Sequence, residues 1–253
     1  MMVNHTARNP IRSVYTAFEI IEQLKENDSA TVTQLANELE TPTSTVHNYL
    51  STLRELGYVV QDESGYHLAL RFAHLGDSTK YRLDLCRVAE PMLEHLAEQS
   101  QGTVNLMAEE NGRGIYLLVK NSERMLHNYS YTRPREYLHS TAAGKAILAN
   151  LDRSQVDSII DVHGLPSETE TTITDRTELF EELEQIRDRG YAINDQESTE
   201  GIYAVAAPLQ HDGTRAAVSV SGSIGTFGME TFRTELSEKV CRTAKSIELD
   251  LTE

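Results

Sequence analysis

Three groups of residues in this 253-residue chain have types and spacings that could do chemistry. The first is Thr43-Ser44-Thr45-Val46-His47-Asn48-Tyr49-Leu50-Ser51, with Arg54 just beyond. At 100° per residue, Val46, Tyr49, Leu50, Leu53 and Leu56 gather on one side of a helix, and Ser44, His47, Asn48 and Ser51 gather opposite. One side packs. The other presents hydroxyls, an imidazole and an amide at the start of a helix, groups that suit a DNA major groove: Asn can pair bidentately with adenine, and Ser can approach either base edge. Any solvent-facing stripe is polar, so the wheel alone does not decide; the elements around the helix do.

The second group is Leu138-His139-Ser140-Thr141-Ala142-Ala143-Gly144-Lys145-Ala146. Ser140 or Thr141 caps a helix whose first turn holds only small residues. Its N–H groups are expected to point outward at the positive helix end, which favours a carboxylate or phosphate. It is not a P-loop, because His139 stands where the earlier glycine belongs and Ala146 replaces the metal-binding hydroxyl. Close helix packing through Ala143 and Gly144 is the alternative. The third group is Ala217-Val218-Ser219-Val220-Ser221-Gly222, where strand alternation puts Ser219 and Ser221 on one face, able to grip a polar ligand. With them go Arg189 to Glu197, which contains Asn194, and Glu200 to Pro208, which contains Ala204. A helix start, paired hydroxyls and an amide bind; no general acid, metal spacing or nucleophile–base pair accompanies them. No catalytic residue, metal or cofactor is expected.

The positioning elements read from periodicity. Residues 11–26 form an amphipathic helix with Val14, Ala17, Phe18, Ile21 and Leu24 on the inner face. A second helix starts at Thr31 with Leu35, Ala36 and Leu39 inward. Thr41-Pro42 supplies a cap and first-turn proline for the third, which stops at Gly57. Helix, helix, turn, helix is the order of a helix-turn-helix. Tyr58–Gln61 and Tyr66–Leu70 then make a hairpin, a wing. A long helical pattern from Ser78 to Gln99 (Tyr81, Leu85, Val88, Met92, Leu96) offers an apolar seam to a partner. Strands follow at 104–108, 115–119, 125–131, 191–195, 202–209 and 215–221, with helices at 140–150, 153–162, 176–189 and 229–250.

Composition bounds the rest. Lys+Arg 23 against Asp+Glu 39 leaves a net charge of −16, and the length admits about two domains. No apolar run approaches the ~20 residues of a membrane helix, the N-terminus lacks a secretory apolar region, and Cys86 and Cys241 form no framework. A reduced cytoplasm and no membrane contact are expected. The dispersed anionic surface fits a high-salt cytosol, where it stays hydrated after long-range repulsion is screened. Residues 1–71 hold five cations and nine acids, a net of −4, so phosphate neutralisation gives weak non-specific affinity. Base contacts and DNA shape must then carry specificity.

Taken together, TVTQLANELETPTSTVHNYLSTLRELGYV, LHSTAAGKAILA, RGYAINDQESTEGIYAVAAPL and AVSVSGSIGTF resemble, in order and spacing, the IclR family of transcription regulators. The resemblance implies an α/β (α+β) chain: a winged helix-turn-helix DNA-binding domain over 8–71, a linker over 72–84 and an effector-binding domain over 85–253. The last would be a GAF-like or profilin-like mixed sheet flanked by helices. It implies a dimer, or a tetramer, on pseudo-palindromic operator DNA, responding to organic acids, aromatic acids or sugar-derived metabolites. Carried over by position, DNA contacts fall at Thr43, Ser44, Thr45, His47, Asn48, Ser51 and Arg54. Effector contacts fall at Tyr129, Tyr131, Ala143, Gly144, Asn194, Ala204, Ser219 and Ser221. The chain departs from the family where Thr16, Thr43 and Asn48 replace cations, which moves weight to His47, Asn48 and Arg54. In some organic-acid binders an acid stands at the position of Asn194 and a cysteine at that of Ala204. Two other functions are weighed against a regulator: an enzyme using Ser140, Lys145 or His139, and a redox or metal sensor using Cys86 and Cys241.

Overall fold

A computed structural model describes residues 8–121, 135–223, 225 and 229–252. Among the described residues, those up to Arg82 form one compact unit and those from Leu83 onward another.

In the first unit, α1 (Arg12–Glu26), α2 (Val32–Glu38) and α3 (Thr43–Glu55) precede a two-stranded antiparallel wing, β1 (Val59–Asp62) and β2 (Gly65–Leu68). Thr31 caps α2 with a full capping box, its hydroxyl accepting from Gln34 N while the Gln34 side chain accepts from Thr31 N. The start of α3 differs from expectation. Pro42 itself is the cap residue, and Thr41 Oγ1 donates to Leu39 O at 3.0 Å. The unit closes over Ile20, Leu24, Leu35, Val46, Leu50, Leu53, Val59 and Tyr66. On α1 the buried face is therefore Ile20 and Leu24; Val14 and Phe18, expected inward, are 48% and 59% exposed. Leu56, at the end of α3, is exposed too.

The helical pattern from Ser78 to Gln99 is two helices. α4 (Arg71–Lys80) groups with the first unit, and α5 (Asp84–Ser100) begins the second. Arg71 fastens α4 by donating to Leu56 O at 2.8 Å and lying over the Tyr58 ring. Leu85 and Leu96 are buried in their own unit's core, which removes them from any seam.

The second unit is built on a six-stranded sheet in the order β5-β4-β3-β8-β7-β6. Its strands are β3 (Thr103–Glu110), β4 (Arg113–Asn121), β5 (Glu136–Tyr137), β6 (Ala192–Asp195), β7 (Ile202–His211) and β8 (Thr214–Ser223). The sheet, expected to be mixed, is antiparallel at every described pairing. Two hairpins turn on Asn111-Gly112 and Asp212-Gly213, with positive φ at all four residues, the signature of a two-residue primed turn.

Alternation splits the sheet residues between two cores. Val104, Leu106, Val205, Ala207, Val218 and Val220 face α5 and the C-terminal helix α9 (Ser237–Asp250). Met107, Ala204, Ala206 and Ala217 face α6 (Ala142–Ala149), α7 (Arg153–His163) and α8 (Arg176–Arg189). Small side chains on that second face let α6 lie close to the sheet, and Gly144 is what close approach to the preceding turn requires. A Cβ there would stand 2.2 Å from Leu138 O.

Candidate nucleic-acid interface and effector site

On α3 the burial of Val46, Leu50 and Leu53 leaves Thr43, Ser44, His47, Asn48, Ser51 and Arg54 exposed and Thr45 half-buried. The polar stripe is thus presented as a continuous face. Arg54 Nη1 also donates to Gln61 Oε1 at 2.5 Å, tying the end of α3 to the wing.

The wing is held by a contact that periodicity could not reveal. Ala30 and Tyr66 exchange both backbone bonds, so the α1–α2 loop pairs with β2. Beside this bridge, both His67 ring nitrogens face acceptors: Asp28 O at 3.0 Å and Asp62 Oδ1 at 2.9 Å. Ser64 Oγ, 2.9 Å from the ring, spends its proton on Asp62 Oδ1 at 2.6 Å. Only the doubly protonated ring can donate to both sides. The bonds to Asp62 and Asp28 O accordingly raise His67 above its ordinary 6.5. Bonds from Ser64 and His67 hold Asp62 below the carboxylate range.

The signs follow from linkage. The His67 contribution is complete below the ordinary histidine value and is lost as pH rises through the raised one. The Asp62 contribution is present above the ordinary carboxylate range and is lost as pH falls below it. Thermal melts stepped upward from pH 6 should show wild type losing stability where His67→Gln does not. Proton NMR placing the His67 imidazole at or below 6.5 would contradict this assignment.

In the second unit, strand register gathers the distant effector candidates. Thr103, Ser221, Ala204 and Asn194 lie in one cross-strand row, with Asn105, Ser219 and Ala206 in the row behind. Ser219 Oγ accepts from Asn105 Nδ2 at 3.4 Å, and Ser221 Oγ donates to Thr103 O at 3.3 Å. Thr103 and Asn105 were missed by the sequence reading. Their signal was available, since both are polar residues alternating with the apolar Val104 and Leu106 in the first half of the strand. Tyr129 and Tyr131 lie outside the described residues.

Two expectations change. Ala142, Ala143 and Gly144 are buried, and Gly144 N donates to the Thr141 cap at 2.9 Å, so the helix start is packed rather than open. Asn194 spends its amide internally. Nδ2 donates to Ser140 O at 2.8 Å and to Ser198 Oγ at 3.0 Å, while Oδ1 accepts from Glu197 N at 2.9 Å. It is a strut holding the turn before α6.

The groups considered for catalysis are also committed. Lys145, 1% exposed, donates to Glu197 Oε1 at 2.5 Å and lies 3.6 Å from Glu182, which also pairs with Arg189. Burial pushes the Glu197 carboxyl up against the pull of this ammonium. Burial pushes His139 down, and its Nε2 bonds Pro166 O rather than Ser140. Ser140 Oγ donates to Glu168 at 2.8 Å. Cys86 is buried, and burial raises the Cys241 thiol, away from the character of a reactive thiolate. Among the described residues, no three His, Cys, Asp or Glu side chains gather to hold a metal, and no helix is long and apolar enough to cross a membrane.

Two family models match the chain in order along its length. The IclR helix-turn-helix domain matches residues 13–63, and the bacterial transcriptional regulator IclR C-terminal domain matches residues 78–249. A probable HTH-type transcriptional regulator ArcR of Halobacterium salinarum is 34% identical over 95% of this chain and 94% of its own length. The transcriptional repressor IclR of Escherichia coli is 30% identical, covering 96% and 91% respectively. The crystal structure of Thermotoga maritima IclR superposes with a TM-score of 0.80 at 28% identity, over 96% of this chain and 99% of that one. With DNA-reading and effector-type domains matched in order, and relatives that are regulators rather than enzymes, this chain belongs to the IclR family of transcriptional regulators.

Proposed function

We propose that this regulator reads pseudo-palindromic operator DNA as a dimer, with or without further pairing to a tetramer, and responds to a small anionic metabolite in its C-terminal domain. The observation that carries the DNA reading is the exposed row Ser44, His47, Asn48 and Ser51 on a helix packed by Val46, Leu50 and Leu53 and followed by a wing. With few cations nearby, base-edge contacts outweigh phosphate contacts. Gel-shift titration of the DNA upstream of its own gene against a scrambled duplex, at stepped KCl, tests this. Asn48→Ala should lose about 1–3 kcal/mol of discrimination at one base position with little change in salt dependence. Arg54→Gln should instead flatten the salt slope by about one counterion. No preference for the upstream fragment at any salt would refute the reading.

Self-association is supported by the apolar face that α1 leaves outside its own core, Ile11, Val14, Tyr15 and Phe18. A second copy covering it would give the two-fold symmetry that a palindrome requires. Sedimentation of Phe18→Glu reads this directly.

For the effector, the packed start of α6 leaves the holding to the sheet row: Ser219 and Ser221 grip the anion's oxygens, with Asn105 and Thr103 beside them. Effector and operator would then be coupled by about 1–3 kcal/mol. Calorimetry against organic, aromatic and sugar acids should find one class whose affinity falls at least about five-fold, the loss of one or two hydrogen bonds, in Ser219→Ala/Ser221→Ala. Equal affinity would place the effector elsewhere.

A further inference from the structure

Glu197 is buried with one carboxylate oxygen committed and the other, among the described residues, without a hydrogen-bond partner. Oε1 receives Lys145 Nζ at 2.5 Å and, more distantly, Asp195 N at 3.4 Å. The groups facing this pair are Glu182 of α8, which pairs with Arg189 of the same helix, and the backbone N–H of Asp195 of β6. For stability alone this is a poor device. A buried ion pair does no better than apolar side chains of the same volume, and an orphaned oxygen adds a desolvation penalty. What the pair does supply is a fixed separation. Lys145 belongs to the first turns of α6, and Glu197 belongs to the loop after β6. The Glu197 N–H fixes Asn194 Oδ1, Asn194 Nδ2 fixes Ser140 O, and Ser140 leads back into α6 through its cap, Thr141. The four links close a ring around the start of the helix.

We infer that Glu197 is a positioning residue of the effector site, its carboxylate bond to Lys145 holding the Asn194 amide and the first turn of α6 at a set distance above the Ser219 and Ser221 row. This rests on the effector reading above, but its test is made on the full chain without any effector. Solvent exchange of the Asn194 side-chain amide, followed by nitrogen-resolved NMR, reports whether its bonds are held.

In Lys145→Met/Glu197→Met the melting temperature should stay close to wild type while Asn194 exchange accelerates about five- to ten-fold, the loss of roughly one hydrogen bond. A merely structural role predicts the reverse pairing, an unchanged Asn194 in any variant that keeps its stability, and that result would overturn the inference. Should the double variant fail to fold, Glu197→Gln carries the same readout, with faster exchange supporting the inference and unchanged exchange overturning it. Ser219→Ala/Ser221→Ala breaks none of the ring bonds and should leave Asn194 exchange at the wild-type rate, whatever it does to ligand binding. Faster exchange there would mean general loosening and would also overturn the inference. The effector reading is judged separately, by calorimetry on that serine variant.

Discussion

Gly144→Ala should destabilise the C-terminal unit by about 3 kcal/mol or more, seen as a lower urea midpoint or as loss of soluble protein. The added Cβ would stand 2.2 Å from Leu138 O, 2.5 Å from Leu138 Cα and 2.7 Å from Leu138 C. Those are backbone atoms of the turn leading into α6, and they cannot swing aside as a side-chain tip can. Relief would need α6 to lift from Ala204, Ala206 and Ala217, opening the core it shares with α7 and α8 and pulling Gly144 N from the Thr141 cap. Gly76→Ala is the matched control, because a Cβ at that helical position meets nothing within 4 Å. There alanine should stabilise α4 by about 0.5–1 kcal/mol through helix propensity. Equal midpoints for the two variants would show that the packing argument at Gly144 is wrong.

Lys145→Met should destabilise the folded chain by about 3–5 kcal/mol at neutral pH, the effect of leaving a buried charge without its partner. Among the described residues, Glu197 would lose its one close cation and keep Glu182 as a neighbour, while Arg189 remains paired to Glu182 at 2.8 Å. The pH dependence has a definite sign. Burial already raises Glu197, and removing the ammonium raises it further. A carboxyl raised in the folded state contributes stability that is complete below its unfolded value and is lost as pH rises through the folded value. The deficit of Lys145→Met relative to wild type should therefore shrink as pH is lowered from neutral toward the ordinary carboxylate range. Paired urea titrations at several pH values measure it; a deficit that grows on acidification would contradict the charge assignment. Adding Glu197→Met should restore much of the loss, since the unpaired carboxylate goes with it.

Much of this architecture was legible in the chain itself because local patterns report local structure. The alternation in 202–209 and 215–221, the glycines after α3 and α8, and the 3.6-residue spacing of Val46, Leu50 and Leu53 each depend on a few neighbouring residues. An element with more than one apolar side does not declare which of them is buried. On α1, Val14 and Phe18 share a stripe with Ile21 and Leu24 as good as the one that is buried, and only the position of α3 and the wing selects Ile20 and Leu24. The break at Tyr81–Leu83 has no proline or glycine to announce it and comes where the chain passes from one compact unit to the other.

The sites divide the same way. Residue types and spacing alone determined that α3 would offer hydroxyls, an imidazole and an amide on one face, and that Ser219 and Ser221 would point the same way, because helix and strand geometry orients side chains without reference to the rest of the molecule. Tertiary structure alone decided what those groups are free to do. Asn194, read as a ligand contact, is consumed by Ser140, Ser198 and Glu197; Lys145, weighed as a catalytic group, is paired by a carboxylate 52 positions away; and His67 clamps the wing through Asp28, 39 positions distant. A hydrogen-bonding group has a fixed number of donors and acceptors, and which partners fill them is settled only when segments far apart in the chain are brought within about 3 Å of one another.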